Sequence, residues 1–268
     1  MPSGFVELGT LFGIAQGYGF FVIAGTALGK SSLLADERFS RVKFYALMGW
    51  VPLVFSALAL AYDLRFLAFF LLAAVSGIAA EVLVSLVWRT FFSEPIWSYS
   101  YGAMARGFTS TLNFLPWATG GLLFHATSLL LRNGLGDESG FSVRAALVFA
   151  ISLSAGLLVA WLLKWTTSAR HGRFSKPAFA MFCLPIAVAA LSLSALCSPA
   201  YLIRMAAFAG VGFVTEYGYG RGMRVFFERG LWTYHPWKID GGHSSYVTFP
   251  LWSIGGMFFA FLARAVGL

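Results

Sequence analysis

The chain has 268 residues, of which 59% are hydrophobic and only 11% are charged, and its formal net charge is +8. A soluble globular domain is nearer half apolar and a quarter charged, so this composition excludes an ordinary water-soluble fold. The positive charge does not indicate a nucleic-acid partner, because the basic residues fall in short segments between apolar runs, where such residues set membrane topology.

Apolar runs of about 20 residues predict membrane-spanning helices. In chain order there are eight candidate spans: 5–29, 43–62, 66–88, 108–131, 143–165, 178–197, 201–223 and 246–266. The first basic residue is Lys30, so the first run lacks the positive flank of a signal peptide and is expected to remain as a helix. The predicted fold class is all-α, a polytopic transmembrane helical bundle.

An internal repeat relates the two halves of the chain at an offset of 135 residues. Without gaps, residues 77–121 match residues 212–256 at thirteen of forty-five positions. The identical pairs include Glu81 with Glu216, Trp97 with Trp232, Tyr99 with Tyr234 and Trp117 with Trp252. We therefore predict two four-helix units, 1–133 and 134–268. Because four is even, the units enter the membrane in the same direction, as parallel repeats related by an axis along the membrane normal.

Basic residues concentrate in the loops after the first, third, fifth and seventh spans, for example Arg38, Arg89, Arg173 and Arg224. Parity places these four loops on one side of the membrane, and the positive-inside bias makes that side the cytoplasm. The expected location is the cytoplasmic (inner) membrane, with the loops at 89–106 and 224–241 facing the cytoplasm.

Two acids fall within predicted spans, Glu81 and Glu216, each eight residues before an arginine. Eight helical residues rise about 12 Å, which is near the middle of a hydrocarbon core about 30 Å thick. An acid there costs roughly 2.5–3.5 kcal/mol to insert and is expected to face protein or a cavity. Either each glutamate joins helices through a hydrogen bond, or the pair handles protons as catalytic residues near the repeat axis. The nearby candidate partners are Ser85, Tyr217, Tyr219 and Arg221.

A Trp-x-Tyr segment follows each of these helices, as Trp97-Ser98-Tyr99 and Trp232-Thr233-Tyr234. Aromatic residues of this kind are usual in the belt at a membrane surface. A belt does not explain why the spacing to Gly107 and Gly242 is the same in both copies. The alternative is a loop that folds back and lines a site, with its aromatic side chains binding substrate.

The second copy carries additional polar residues: His235, Asp240, His243 and Arg221 stand where the first has Ser100, Ala105, Phe108 and Leu86. Asp240 is a third candidate for proton handling, while the histidines either bind lipid headgroups or belong to a specialised substrate site. No third ligand at metal spacing accompanies them, so neither a metal nor a cofactor is expected. The remaining candidate substrate-binding residues are Arg89, Arg224 and Asn113.

Glycines surround Glu216 in the seventh predicted span. The spacing of Gly218 and Gly222 is that of a small-residue contact face, which favours close helix packing. The alternative is a helix broken beside Glu216, as in transporter binding sites.

These motifs resemble those of a family of small bacterial membrane proteins described as ABC-transporter type IV permeases, and of a small vertebrate multi-span family. The resemblance rests on Glu81, Trp97-Ser98-Tyr99-Ser100, Gly107 and Trp117, and on Glu216, Trp232-Thr233-Tyr234, Gly242 and Trp252. The acid that follows the tryptophan in the family is Ser98 or Thr233 here. The resemblance implies a permease-like membrane protein, present as two tandem copies.

Three functions are compatible with the sequence. The first is a permease-like protein that binds or moves an amphipathic or lipid-like small molecule between the two repeats. The second is a membrane-embedded enzyme that acts on a lipid or isoprenoid by acid–base chemistry, with aromatic faces stabilising cationic intermediates. The third is a non-catalytic subunit of a membrane assembly, with a partner subunit in the bilayer. Membrane lipids are expected around all three.

Overall fold

The computed structural model describes residues 44, 48–135, 141–166, 174–226 and 230–268. Within these ranges the chain forms seven α-helices. They are α1 (Trp50–Ala61), α2 (Arg65–Phe91), α3 (Phe114–Leu135), α4 (Val143–Thr166), α5 (Lys176–Leu196), α6 (Ala200–Phe226) and α7 (Thr248–Ala265). The first predicted span, residues 5–29, lies outside the described residues.

Four of the described helices are long and apolar enough to cross a membrane: Arg65–Phe91, Thr111–Leu135, Val143–Lys164 and Lys176–Leu196. A helical membrane protein is therefore the fold class that the structure supports. The other described helices are shorter, as is α1 with 12 residues, or more polar, as is α6, which contains Arg204, Glu216 and Arg221.

Six short strands depart from the predicted all-α fold: β1 (Trp97–Tyr99), β2 (Ala103–Met104), β3 (Thr109–Ser110), β4 (Trp232–Tyr234), β5 (Lys238–Ile239) and β6 (Ser244–Ser245). They lie in the segments that precede α3 and α7, here called the first loop (92–113) and the second loop (230–247). The predicted span 108–131 was wrong at its beginning, because β3 and a 3₁₀ turn at Thr111–Asn113 come before α3. Hydroxyl-bearing residues at 109–111 favour such local turns over helix.

The helices pack in pairs, α2 on α3, α4 on α5 and α6 on α7, and α3 also contacts α7. The first and third pairs meet through a glycine that faces a tryptophan. A Cβ added to Gly77 would lie 2.3 Å from Cγ of Trp117, and one added to Gly212 would lie 2.6 Å from Cγ of Trp252. These glycines are needed because each indole lies flat against the neighbouring helix backbone.

The predicted contact face at Gly218 and Gly222 is not formed by the described residues. Both glycines are exposed, and a Cβ built on either meets no atom of the described chain within 4 Å. The alternative of a broken helix is also wrong, because α6 runs without interruption from Ala200 to Phe226.

We predict that Gly77→Ala and Gly212→Ala each lower the free energy of unfolding by about 1–3 kcal/mol, the usual cost of overpacking a filled core. The matched control is Gly218→Ala, which adds the same methyl group where it meets nothing and improves helix propensity. Thermal unfolding of the purified protein in detergent measures both. Unchanged melting of Gly77→Ala would contradict the close approach of Trp117.

Candidate functional site

The carboxylate of Glu81 lies inside the bundle and accepts hydrogen bonds from three side chains of the first loop. Tyr99 donates its hydroxyl proton to Oε1, and Thr109 donates to Oε2. Asn113 donates from Nδ2 to Oε2 over 2.7 Å. Glu81 is only 7% exposed. A residue near the middle of α2 thus holds the first loop against the bundle.

Glu216 on α6 has the corresponding set of contacts. Tyr234 donates to Oε1, Ser244 donates to Oε2 over 2.7 Å, and the Thr248 hydroxyl lies 3.0 Å from Oε2. The donors lie 18, 28 and 32 residues after the glutamate, the same separations as in the first set. Glu216 is 8% exposed.

The two loops share a backbone path. Positive φ angles recur at four positions 135 residues apart: Gly102 and Trp237, Ala105 and Asp240, Arg106 and Gly241, and Gly107 and Gly242. The indole of Trp97 donates to the carbonyl of Phe108 over 2.8 Å, and that of Trp232 donates to the carbonyl of His243 over 3.1 Å.

The loops also pair with each other, because β1 and β4 are antiparallel neighbours. Ser98 lies opposite Thr233 at the centre, Trp97 lies opposite Tyr234, and Tyr99 lies opposite Trp232. This pairing satisfies backbone groups that water cannot reach inside a bundle. The alternative that the loops fold back therefore describes them better than a surface belt does.

Burial, together with the neighbouring carboxylates, raises the pKa of the Tyr99 and Tyr234 hydroxyls well above the ordinary tyrosine value. Both phenols therefore remain protonated over the physiological range. They act as neutral hydrogen-bond donors to the two glutamates.

Both glutamates line one cavity of about 480 Å³, bounded by α2, α3, α6, α7 and the paired strands β1 and β4. The prediction that both acids point into the bundle toward a shared cavity is confirmed. No hydrogen bond joins the two carboxylates in the described structure, so each is held by its own donors. Pockets of this size accommodate a small organic molecule.

The walls of this cavity are aromatic and aliphatic. Four tryptophans and three tyrosines face it: Trp97, Trp117, Trp232, Trp252, Tyr99, Tyr219 and Tyr234. Trp117 and Trp252 have ring centroids 5.7 Å apart, and Tyr219 stacks on Trp232 at 6.0 Å. Nε1 of Trp252 is buried and has no hydrogen-bond partner among the described residues.

The partners expected from neighbouring positions were wrong for both acids. Ser85 is buried one turn beyond Glu81, but its Oγ bonds to no described atom. Arg221 bonds instead to the hydroxyl of Tyr217 at 2.9 Å and to Oδ2 of Asp240 at 2.8 Å. The loops reach the carboxylates first, because they pass directly over the middle of α2 and α6.

The additional polar residues of the second copy do not line the cavity. Asp240 is exposed and paired with Arg221, and His235 is exposed with Nε2 3.0 Å from Oγ of Ser98. His243 is buried, and its backbone packs against Gly220. The structure thus separates Asp240 from the two glutamates that were predicted to share its role.

The predicted arginines are likewise not in the cavity. Arg89 is exposed at the end of α2 and donates to the carbonyl of Ser93. The side chain of Arg224 lies outside the described residues. Among the described residues, no group of three or more histidine, cysteine, aspartate or glutamate side chains is arranged to hold a metal ion.

Three residues of the site were not identified from the sequence: Thr109, Ser244 and Thr248. The repeat contained a signal for them, because position 109 pairs with 244 as Thr with Ser, and position 113 pairs with 248 as Asn with Thr. These pairs preserve a hydrogen-bonding group without preserving identity, and counting identities alone overlooks them.

Comparisons with models of protein families, with curated proteins and with solved structures find no match to this chain.

We predict that Tyr99→Phe and Tyr234→Phe each lower the free energy of unfolding by about 1.5–3 kcal/mol, the range for a hydrogen bond to a charged group. The two losses should be similar, because the two carboxylates have matching contacts. The control is Tyr246→Phe, which removes a hydroxyl from an exposed side chain and should stay within about 0.5 kcal/mol of the parent. Thermal unfolding in detergent measures all three. Tyrosine variants as stable as the control would show that the loops are not anchored by the glutamates.

Proposed function

We propose that this protein is a permease-like membrane protein that binds, and moves, an amphipathic small molecule in the cavity between its two halves. The observation that carries the proposal is one apolar cavity that contains both buried glutamates. An amphipathic ligand needs apolar walls for its body and a few fixed polar groups for its head. The aromatic lining supplies the walls, and Glu81 and Glu216 supply the polar groups.

Access from the lipid phase is consistent with this ligand. Leu83 of α2 and Phe258 of α7 line the cavity and are also exposed on the outer surface, at 62% and 36%. An apolar rim allows a lipid-like molecule to enter without leaving the bilayer. Membrane lipids are the proposed partners of the outer helix faces, and nucleic acid is not a proposed partner.

The proposed architecture is eight spans in two parallel repeats, 1–133 and 134–268, with the permease-like family as the proposed relative. The matching separations around Glu81 and Glu216 support a duplication, as do the shared positive φ positions. The register of β1 and β4 supports a two-fold relation, because Ser98 and Thr233 are both opposite and 135 residues apart.

Acid–base chemistry on a lipid or isoprenoid is the second candidate, since both carboxylates face aromatic walls. The structure restricts it to Glu81 and Glu216, because Asp240 lies elsewhere. Conversion of a lipid extract by the parent protein, and its loss in Glu216→Gln, would favour the enzyme. A non-catalytic assembly subunit, the third possibility, gives no reason for a cavity of this kind.

We predict that filling the cavity abolishes ligand binding without unfolding the protein. Gly120→Leu and Gly255→Leu project side chains into the cavity from α3 and α7, where an added Cβ meets only ordinary contacts at 3.9 and 3.6 Å. Energy transfer from the cavity tryptophans to Nile red, a neutral amphipathic dye, reports binding. Both variants should lose the signal, while Gly218→Leu, exposed on the outside of α6, should keep it. Equal binding in all three would reject this cavity as the ligand site.

We also predict that the first and second loops face the cytoplasm. The test places single cysteines at exposed Glu94 and Lys238, and at exposed Leu64 on the opposite side, in a chain with Cys183 and Cys197 replaced by alanine. An impermeant maleimide applied to intact cells should label only position 64. Labelling at positions 94 and 238 would reverse the orientation.

A further inference from the structure

Each buried glutamate is surrounded by donors that suit its ionised form. Asn113 Nδ2 can only donate, and three donors meet the two oxygens of Glu81. Hydrogen bonds given to a carboxylate favour the charged state over the neutral one. The donors themselves are amides and hydroxyls, so they orient the charge without cancelling it.

No basic side chain balances these acids from within the cavity. Of the described residues that line it, none is lysine, arginine or histidine. Arg221, on the same helix as Glu216, is exposed and bonded to Asp240 and Tyr217. A buried charge without a partner is costly, so these carboxylates favour an occupant of opposite charge.

The aromatic walls favour the same sign of charge. The faces of tryptophan and tyrosine carry negative potential, and a cation within about 6 Å of a ring centre is attracted more strongly where water is excluded. Trp117 and Trp252 lie side by side in the cavity, and Trp232 and Tyr219 stack beside Glu216. An organic cation can contact rings and carboxylates together.

We infer that the ligand of this cavity is a lipophilic cation: a quaternary or protonated amine, or a similar onium group, on an apolar body. The inference rests on the proposed function and specifies its ligand class. The free Nε1 of Trp252 requires only a lone pair, which ligands of any charge can offer. The two carboxylates and the ring faces therefore determine the sign.

The test uses probes of one shape and different charge. Tetraphenylphosphonium is a cation, tetraphenylborate is an anion, and tetraphenylmethane is neutral. Binding to the full-length protein in a non-ionic detergent is measured by quenching of tryptophan fluorescence and by equilibrium dialysis. The cation should bind at least about tenfold more tightly than the anion, because both ring faces and carboxylates oppose negative charge.

Glutamate variants then locate the charge preference. Glu81→Gln and Glu216→Gln keep the size of the side chain, and each should weaken binding of the phosphonium about tenfold, with comparable losses for the two. The matched control is Glu94→Gln, which removes one negative charge from an exposed position outside the cavity and should not change binding. If a glutamine variant unfolds, the comparison of probes on the parent protein still decides the sign.

The possible failures separate the inference from the proposed function. If the anion or the neutral probe binds as tightly as the cation, and Gly120→Leu abolishes that binding, the cavity is a ligand site but the inference about charge is wrong. If no probe binds in a way that Gly120→Leu and Gly255→Leu prevent, both the inference and the proposed site are rejected.

Discussion

A carboxylate in the middle of a helical bundle needs hydrogen-bond donors that reach it without water, and much of this molecule follows from that requirement. Glu81 obtains its donors from residues 18, 28 and 32 positions further along the chain. The whole first loop must therefore enter the bundle instead of staying at the membrane surface. One acidic side chain thus determines the path of more than twenty residues.

Bringing a loop into a bundle creates a second requirement, because its backbone groups also lose water. The short strands answer it: β2 pairs with β3, β5 pairs with β6, and β1 pairs with β4 across the two halves. The last pairing places Trp97, Tyr99, Trp232 and Tyr234 on one boundary of the cavity. The cavity is thus the space left between two helix pairs that are separated by paired loops.

The sequence predicted some features closely and missed others for identifiable reasons. The spans 143–165 and 178–197 agree with α4 and α5 within about two residues, because their ends are marked by charge, serine and proline. The span at 108–131 began too early, since residues 108–113 look apolar or neutral but form a turn. The burial of Glu81 and Glu216 followed from the cost of charge in lipid. Their partners did not, because hydropathy and periodicity describe neighbours along a helix and carry no information about a loop that returns to it.

The differences between the two loops lie at their exposed edges. Arg221 and Asp240 connect α6 to the second loop, whereas Leu86 and Ala105 occupy the corresponding positions near the first loop and cannot form an ion pair. An exposed pair of this kind contributes about 0–1 kcal/mol, less than the buried anchors that both loops share. Its main effect is local, at a turn where Asp240 has a positive φ of 44°. The polar groups that face the cavity are matched in the two halves, so the proposed duplication leaves the binding chemistry common to both. The extra charges of the second half modify only the rim, and this removes the reason to expect Glu216 to dominate Glu81.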